Sequence, residues 1–218
     1  MNKFSIKFLR IIIFTSCLCI VENPAYSSEH NETALNFLKE YIQSLNSFEA
    51  EFEQSIYGQS GTMLESSKGI VKLQKPGKFY WAYQQPYSQY LISNGDSIWI
   101  YDEDLEQVTI NKIDGNTQNS PAALLSGEMD IESNYIITDL GQIENADWIE
   151  LRSNNTDVEF NAIRLGFIQG ELSGMALFDN LGQTSELNFN KVLRDKVLDE
   201  SLFEFIPPVG IDVIDTRE

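Results

Sequence analysis

Cysteine is nearly absent from this chain: among 218 residues there are only Cys17 and Cys19, both close to the N-terminus. Histidine is scarcer still, with His30 alone, and basic residues are few, 15 Lys and Arg against 33 Asp and Glu, a formal charge of −18. Each shortage excludes something. A single histidine near a chain end, where termini fray, cannot anchor a catalytic triad or a metal site. The acidic excess argues against nucleic acid and against anionic lipid surfaces as partners. That acidity serves solubility, or it steers the molecule toward a basic docking face; both readings stand at this level. No glycine-rich phosphate loop follows a strand. The cluster Asp102, Glu103, Asp104 and Glu106 lacks the central glycine and closing glutamate of a calcium loop, and reads as a solvated strand end. Carboxylates are abundant, but no pair is singled out for glycoside chemistry.

What is present begins with an export signal. Lys3, Lys7 and Arg10 form a basic start, Ile11 to Val21 an apolar run, and Ala25 and Ser27 the small residues of a cleavage site before Ser28. Eleven apolar residues are too few to span a bilayer. Residues 1–27 are therefore expected to be removed, leaving 28–218 as one domain. Both cysteines leave with the signal, so the remaining chain has no thiol nucleophile and no disulfide to staple it. Three basic residues and one acidic residue leave too, which deepens the charge from −18 by two to −20.

Only one stretch reads as a substantial helix. Ala34, Phe37, Leu38, Tyr41, Ile42, Leu45 and Phe48 form an apolar stripe at helical spacing, with Asn31 as the expected N-cap. From Phe52 onward short alternating segments follow one another. Strands are expected over Gly69–Gln74, Phe79–Gln84, Tyr90–Ser93, Ser97–Tyr101, Gln107–Ile110, Tyr135–Asp139, Trp148–Leu151, Ala162–Phe167, Leu172–Phe178 and Ser185–Asn190, with Asn94-Gly95 as a hairpin turn. No segment between them is suited to a parallel crossover, so the pattern predicts a mainly β, antiparallel meander or barrel. Within it, Ser120 to Gly127 reads as a short inserted helix, with a serine cap, Pro121 at its first position and a glycine stop. It either caps something or merely connects.

Aromatics are the distinctive content. Phe79, Tyr80, Trp81, Tyr83, Tyr87, Tyr90, Trp99 and Tyr101 fall within 23 residues. Strand alternation sends Phe79, Trp81 and Tyr83 to one face and Tyr80 to the other. These rings either fill a core or line a cavity inside a curved sheet, and composition does not separate the two.

Several runs resemble the LolA family of periplasmic outer-membrane lipoprotein carriers. They are Phe48-Glu49-Ala50-Glu51-Phe52-Glu53-Gln54, Lys75-Pro76-Gly77-Lys78-Phe79-Tyr80-Trp81, Gln89 through Gly95, Ile98 through Val108, Ser120 through Leu125, and Phe203 through Ile214. The resemblance implies an incomplete antiparallel β-barrel, a half-barrel whose concave apolar face is covered by the N-terminal helix and the short inserted helix. It implies an acyl-chain cavity walled by Phe79, Trp81, Tyr83 and Trp99 and lidded by Phe37 and Tyr41 from one helix and Leu124 and Leu125 from the other. It implies a monomer, without cofactor or metal, that takes acylated lipoproteins from an inner-membrane ABC transporter across the periplasm to an outer-membrane receptor, with no covalent reaction. The family commonly places an arginine before the proline of the second strand, bonded to lid carbonyls. Here that residue is Lys75, which keeps the charge but lacks the planar fork, so a weaker latch is implied.

Three other readings compete. A lipidated receptor or lipid-sensing half-barrel of related fold would carry a diacylated Cys17. A carboxylate-dependent hydrolase would depend on residues such as Asp102 or Asp104. A structural or adhesive β protein would have a filled core.

Overall fold

The helical stripe breaks at Leu45, and the sheet starts two residues later. In the computed structural model, which describes residues 24–113, 121–126, 130–156 and 158–217, helix α1 runs Pro24–Ser44 and strand β1 runs Ser47–Tyr57. Phe48 therefore belongs to β1 and not to the helix. Its spacing fits both because the first inward-facing strand position falls where the next helical turn would have fallen. Asn31 is not the N-cap either. It lies inside α1, and its side-chain oxygen accepts from the Asp139 backbone N–H at 2.9 Å. The basic start, the apolar run, both cysteines, Ser120 and Gly127 lie outside the described residues. No helix of the described residues is long and apolar enough to cross a membrane.

Eleven further strands follow: β2 Met63–Gln74, β3 Lys78–Gln85, β4 Gln89–Asn94, β5 Ser97–Asp102, β6 Gln107–Lys112, β7 Tyr135–Ile143, β8 Ala146–Ser153, β9 Phe160–Ile168, β10 Glu171–Asp179, β11 Thr184–Arg194 and β12 Asp212–Asp215. Two short helices, α2 Pro121–Leu125 and α3 Ile131–Asn134, sit between β6 and β7. All strands join one sheet in the order β12-β6-β5-β4-β3-β2-β1-β11-β10-β9-β8-β7. The sheet is two meanders, β1–β6 and β7–β11, hinged by the pairing of β1 with β11. Its two ends do not meet, so it curves without closing. The expectation of a mainly β half-barrel is met, with one exception to its antiparallel rule: β12 pairs parallel to β6. The chain reaches that edge after crossing the outer face of the sheet, where Phe205 and Ile211 pack, and so arrives running with β6.

Turn chemistry is local. Between β4 and β5 the connection is Gly95–Asp96, and Asn94 braces it by accepting from the Asp96 and Ser97 N–H groups at 3.0 Å each. Gly95 takes φ +96°, a conformation L side chains rarely adopt. One glycine is fixed by close approach: a Cβ at Gly69 would stand 1.9 Å from the Ala82 carbonyl and 2.8 Å from the Phe52 ring.

The main core fills the concave side. Phe48, Ala50 and Phe52 of β1 alternate inward and meet Leu73, Ile163, Leu165, Phe167, Leu187 and Phe189 from both meanders. Leu38 and Ile42 of α1, Leu45 just past its end, and Leu124 and Leu125 of α2 close over them. A second, smaller cluster, Ile92, Trp99, Val108 and Ile110, lies on the convex side of β4–β6.

Candidate functional site

The concave side is filled under α1 and left partly empty at its other end. There a cavity of about 390 Å³ is walled by Phe79, Trp81 and Tyr83 of β3, Gln54 and Ile56 of β1, and Leu177 and Leu187 of β10 and β11, with Ala122 of α2 over it and Glu159, Asp179, Gln183 and Ser185 adding polar groups to the lining. Both alternatives left open by the aromatic content thus occur in one molecule. Phe52 ties the wall together, its ring centroid 5.2 Å from those of Trp81 and of Tyr83. The absent Cβ at Gly69, directly across from Phe52 in the β1–β2 pairing, leaves room for that ring to lie flat on the sheet.

Of the residues expected to wall the cavity, Phe79, Trp81 and Tyr83 line it. Trp99 does not. It pairs with Ile92 and Ile110, neighbours of the outward residue Tyr80, and is buried on the convex face with them. Side chains opposite one another across a ladder share a face, and Trp81 shares its face with Leu91 and Ile100 instead. Phe37 and Tyr41 sit on α1 against Phe167, with centroids 5.0 and 5.1 Å away. With Leu124 and Leu125 they pack against or within the core beside the cavity and do not line it.

α1 is held at both ends. Asn31 meets the β7 backbone near its start, and Lys39 pairs with Glu132 of α3. At its C-terminal end Lys75, in the β2–β3 turn, donates its ammonium to the Ile42 carbonyl. That carbonyl lies in the last turn, where helix C=O groups lack regular partners and the dipole favours a cation. Burial pushes the Lys75 ammonium below its usual range, and the Asp195 carboxylate opposes the shift. A second cation joins it: Arg194 donates to Ser44 Oγ at 2.9 Å and to Glu171 at 3.2 Å, with its guanidinium 4.6 Å from the Tyr41 ring centre. Asp195 accepts from the Asn46 backbone and side chain at 3.0 and 3.1 Å. Arg194 and Asp195 escape sequence reading because they lie some 150 residues from the helix end they hold.

The cavity wall contains polar atoms with little to bond. The Tyr83 phenol is pushed up to about 12, first by burial and then by the Glu65 carboxylate, with the Trp81 indole N–H opposing. The Trp81 N–H is buried and finds no acceptor in good hydrogen-bond geometry, although it lies near enough to that phenol to ease its ionisation. Gln54, 8% exposed, has its side-chain oxygen buried with no donor. Outside the cavity a larger pocket of about 760 Å³ shares Gln54, Ile56 and Tyr83 with it and adds Glu65, Asp102, Asp104 and Leu105. Asp102 accepts from the Leu105 N–H at 3.0 Å, which braces the β5–β6 turn. Among the described residues no three His, Cys, Asp or Glu side chains are grouped to hold a metal.

Residues 43–206 match the family model described as outer membrane lipoprotein carrier protein LolA. An outer-membrane lipoprotein carrier protein of Nitrosospira multiformis is 36% identical over 190 residues, covering 87% of this chain and 92% of its own. One from Methylococcus capsulatus is 36% identical over 208 residues, covering 95% and 98%. A solved structure, an uncharacterized conserved protein from Thermus thermophilus, superposes with a TM-score of 0.56 at 13% identity, covering 84% of this chain and 99% of that one, and speaks for the fold alone.

Proposed function

The chain belongs to the LolA family, and from that premise we propose that it is a periplasmic carrier that shelters the acyl chains of lipoproteins, receiving them from an inner-membrane ABC transporter and passing them to an outer-membrane receptor. The observation that carries this reading is the apolar cavity left open on the concave face beside a helix held at its two ends by a few polar contacts. Each acyl methylene kept from water is worth about 0.8 kcal/mol, so a free lipoprotein aggregates or reinserts. A cavity of about 390 Å³ is at the small end of ligand sites, which run from roughly 300 to 1,000 Å³. Loading therefore requires α1 and α2 to move away from the sheet, with Phe37, Tyr41, Leu124 and Leu125 giving up their packing and joining the wall. Lys75 and Arg194 at the end of α1 set how readily that happens.

Carriage breaks no covalent bond. Asp102, one of the acids the hydrolase reading names, accepts from the Leu105 N–H and braces its turn. Export follows the N-terminal signal, with cleavage before Ser28, and the carrier acts as a monomer. The test is to add purified protein spanning 28–218 to membranes containing the lipoprotein-releasing transporter. A lipoprotein should leave the membrane in a soluble one-to-one complex; no release beside a competent transporter overturns the reading. Mass spectrometry of the exported protein should find Ser28 at its N-terminus, whereas a diacylated Cys17 would make it a receptor instead.

A further inference from the structure

The inward row of β1 is apolar except at one place. Phe48, Ala50, Phe52 and Ile56 alternate toward the concave side, and between the last two stands Gln54. Its primary amide is 8% exposed and its Oε1 has no donor. Such a group is costly to keep, and nothing in the packing of β1 needs it: Leu or Met would fill the row as well. Its position is informative. Gln54, Ile56 and Tyr83 border both the inner apolar cavity and the outer pocket that carries Glu65, Asp102 and Asp104. A chain lying in the cavity with its polar head in the outer pocket has its apolar-to-polar junction at this partition.

We propose that Gln54 reads that junction and selects acyl chains joined through an amide over those joined through an ester. The proposal rests on the carrier reading above and goes further, to the linkage that is recognised. A secondary amide offers an N–H to Oε1, the atom that lacks a donor, while its own carbonyl, trans to that N–H, points away. An ester offers only the carbonyl and leaves Oε1 as it stands in the unloaded molecule. Tyr83 beside it stays a neutral phenol well past pH 10 and adds no charge of its own to the partition.

The experiment is displacement of a fluorescent apolar probe from purified 28–218 protein by N-methyldodecanamide or methyl dodecanoate, which share their chain and differ at the linkage. Wild type should bind the amide about tenfold more tightly than the ester, the size of one buried neutral hydrogen bond. Gln54→Met should abolish the preference while binding the ester at least as well, and its thermal unfolding, at or above the wild-type midpoint, shows that it folds. Equal affinities in wild type, or a preference that survives in Gln54→Met, overturn the assignment of Gln54. Failure of both compounds to displace the probe overturns the acyl-chain cavity itself, and with it the carrier reading.

Discussion

Strands β3 to β5 carry aromatic residues on both faces, and the two faces meet opposite fates. On the convex side Tyr80, Tyr90 and Tyr101 stand in a row, with ring centroids 6.2 and 5.8 Å apart along it, and Phe205 from the C-terminal segment lies 5.2 Å beyond Tyr101. The chain covers part of that face itself, finishing with β12 on the β6 edge, and leaves a pocket of about 300 Å³ between the tyrosines and Phe205. On the concave side the rings of Phe79, Trp81 and Tyr83 border space, and polar atoms among them lack partners. Aromatic density alone does not make a binding cavity. What distinguishes the two faces is what lies over the rings: the C-terminal segment on the convex side, and α2 with the cavity beneath it on the concave side.

The comparison breaks or sharpens most sharply at the two tryptophans. Trp99→Ala removes a ring buried among Ile92, Val108 and Ile110 and should destabilise by about 3–5 kcal/mol in chemical denaturation. Trp81→Ala also removes a buried ring that packs on Phe52, but one side of that ring already borders space, and it should cost less. Equal losses would mean that the concave face is as tightly packed as the convex one. Next is pH. The Tyr83 phenol titrates in the fold near 12 against about 10 when unfolded, so its contribution is complete below pH 10 and is lost as pH rises from 10 toward 12. Tyr83→Phe should remove that part of the alkaline loss, on the order of 2 kcal/mol, which denaturation at pH 9 and pH 12 would measure. The smallest effect is expected at the latch. Lys75→Leu should change stability by no more than about 1 kcal/mol, because Arg194 still holds the end of α1. It should nonetheless slow delivery to the receptor or retain cargo; delivery unchanged from wild type would remove Lys75 from the mechanism.

Much of the fold was legible in local pattern. The stripe from Ala34 to Leu45 and the alternation of Phe79, Trp81 and Tyr83 are one-dimensional signals, and the structure follows them. The misread positions needed long-range information. Phe48 satisfies a helical and a strand spacing together, and only its pairing with Leu73 and Arg194 decides between them. Trp99 alternates as cleanly as Trp81, but parity within one strand does not say which face is concave; register across β3, β4 and β5 does. Arg194 and Asp195 meet α1 only after the second meander has closed onto β1. Gln54 was visible as an amide interrupting an apolar row, a signal available to any reading that had placed a strand at β1.

α1 joins distant points of an open arc: β7, the far edge of the sheet, through Asn31, and the β2–β3 turn through Lys75. In mechanical terms it is the string of a bow. Anything that widens the arc from within lengthens the span the string must cover and loads its end contacts. On the proposed function, cargo that widened the concave side would lengthen that span and load the contacts at Asn31 and Lys75.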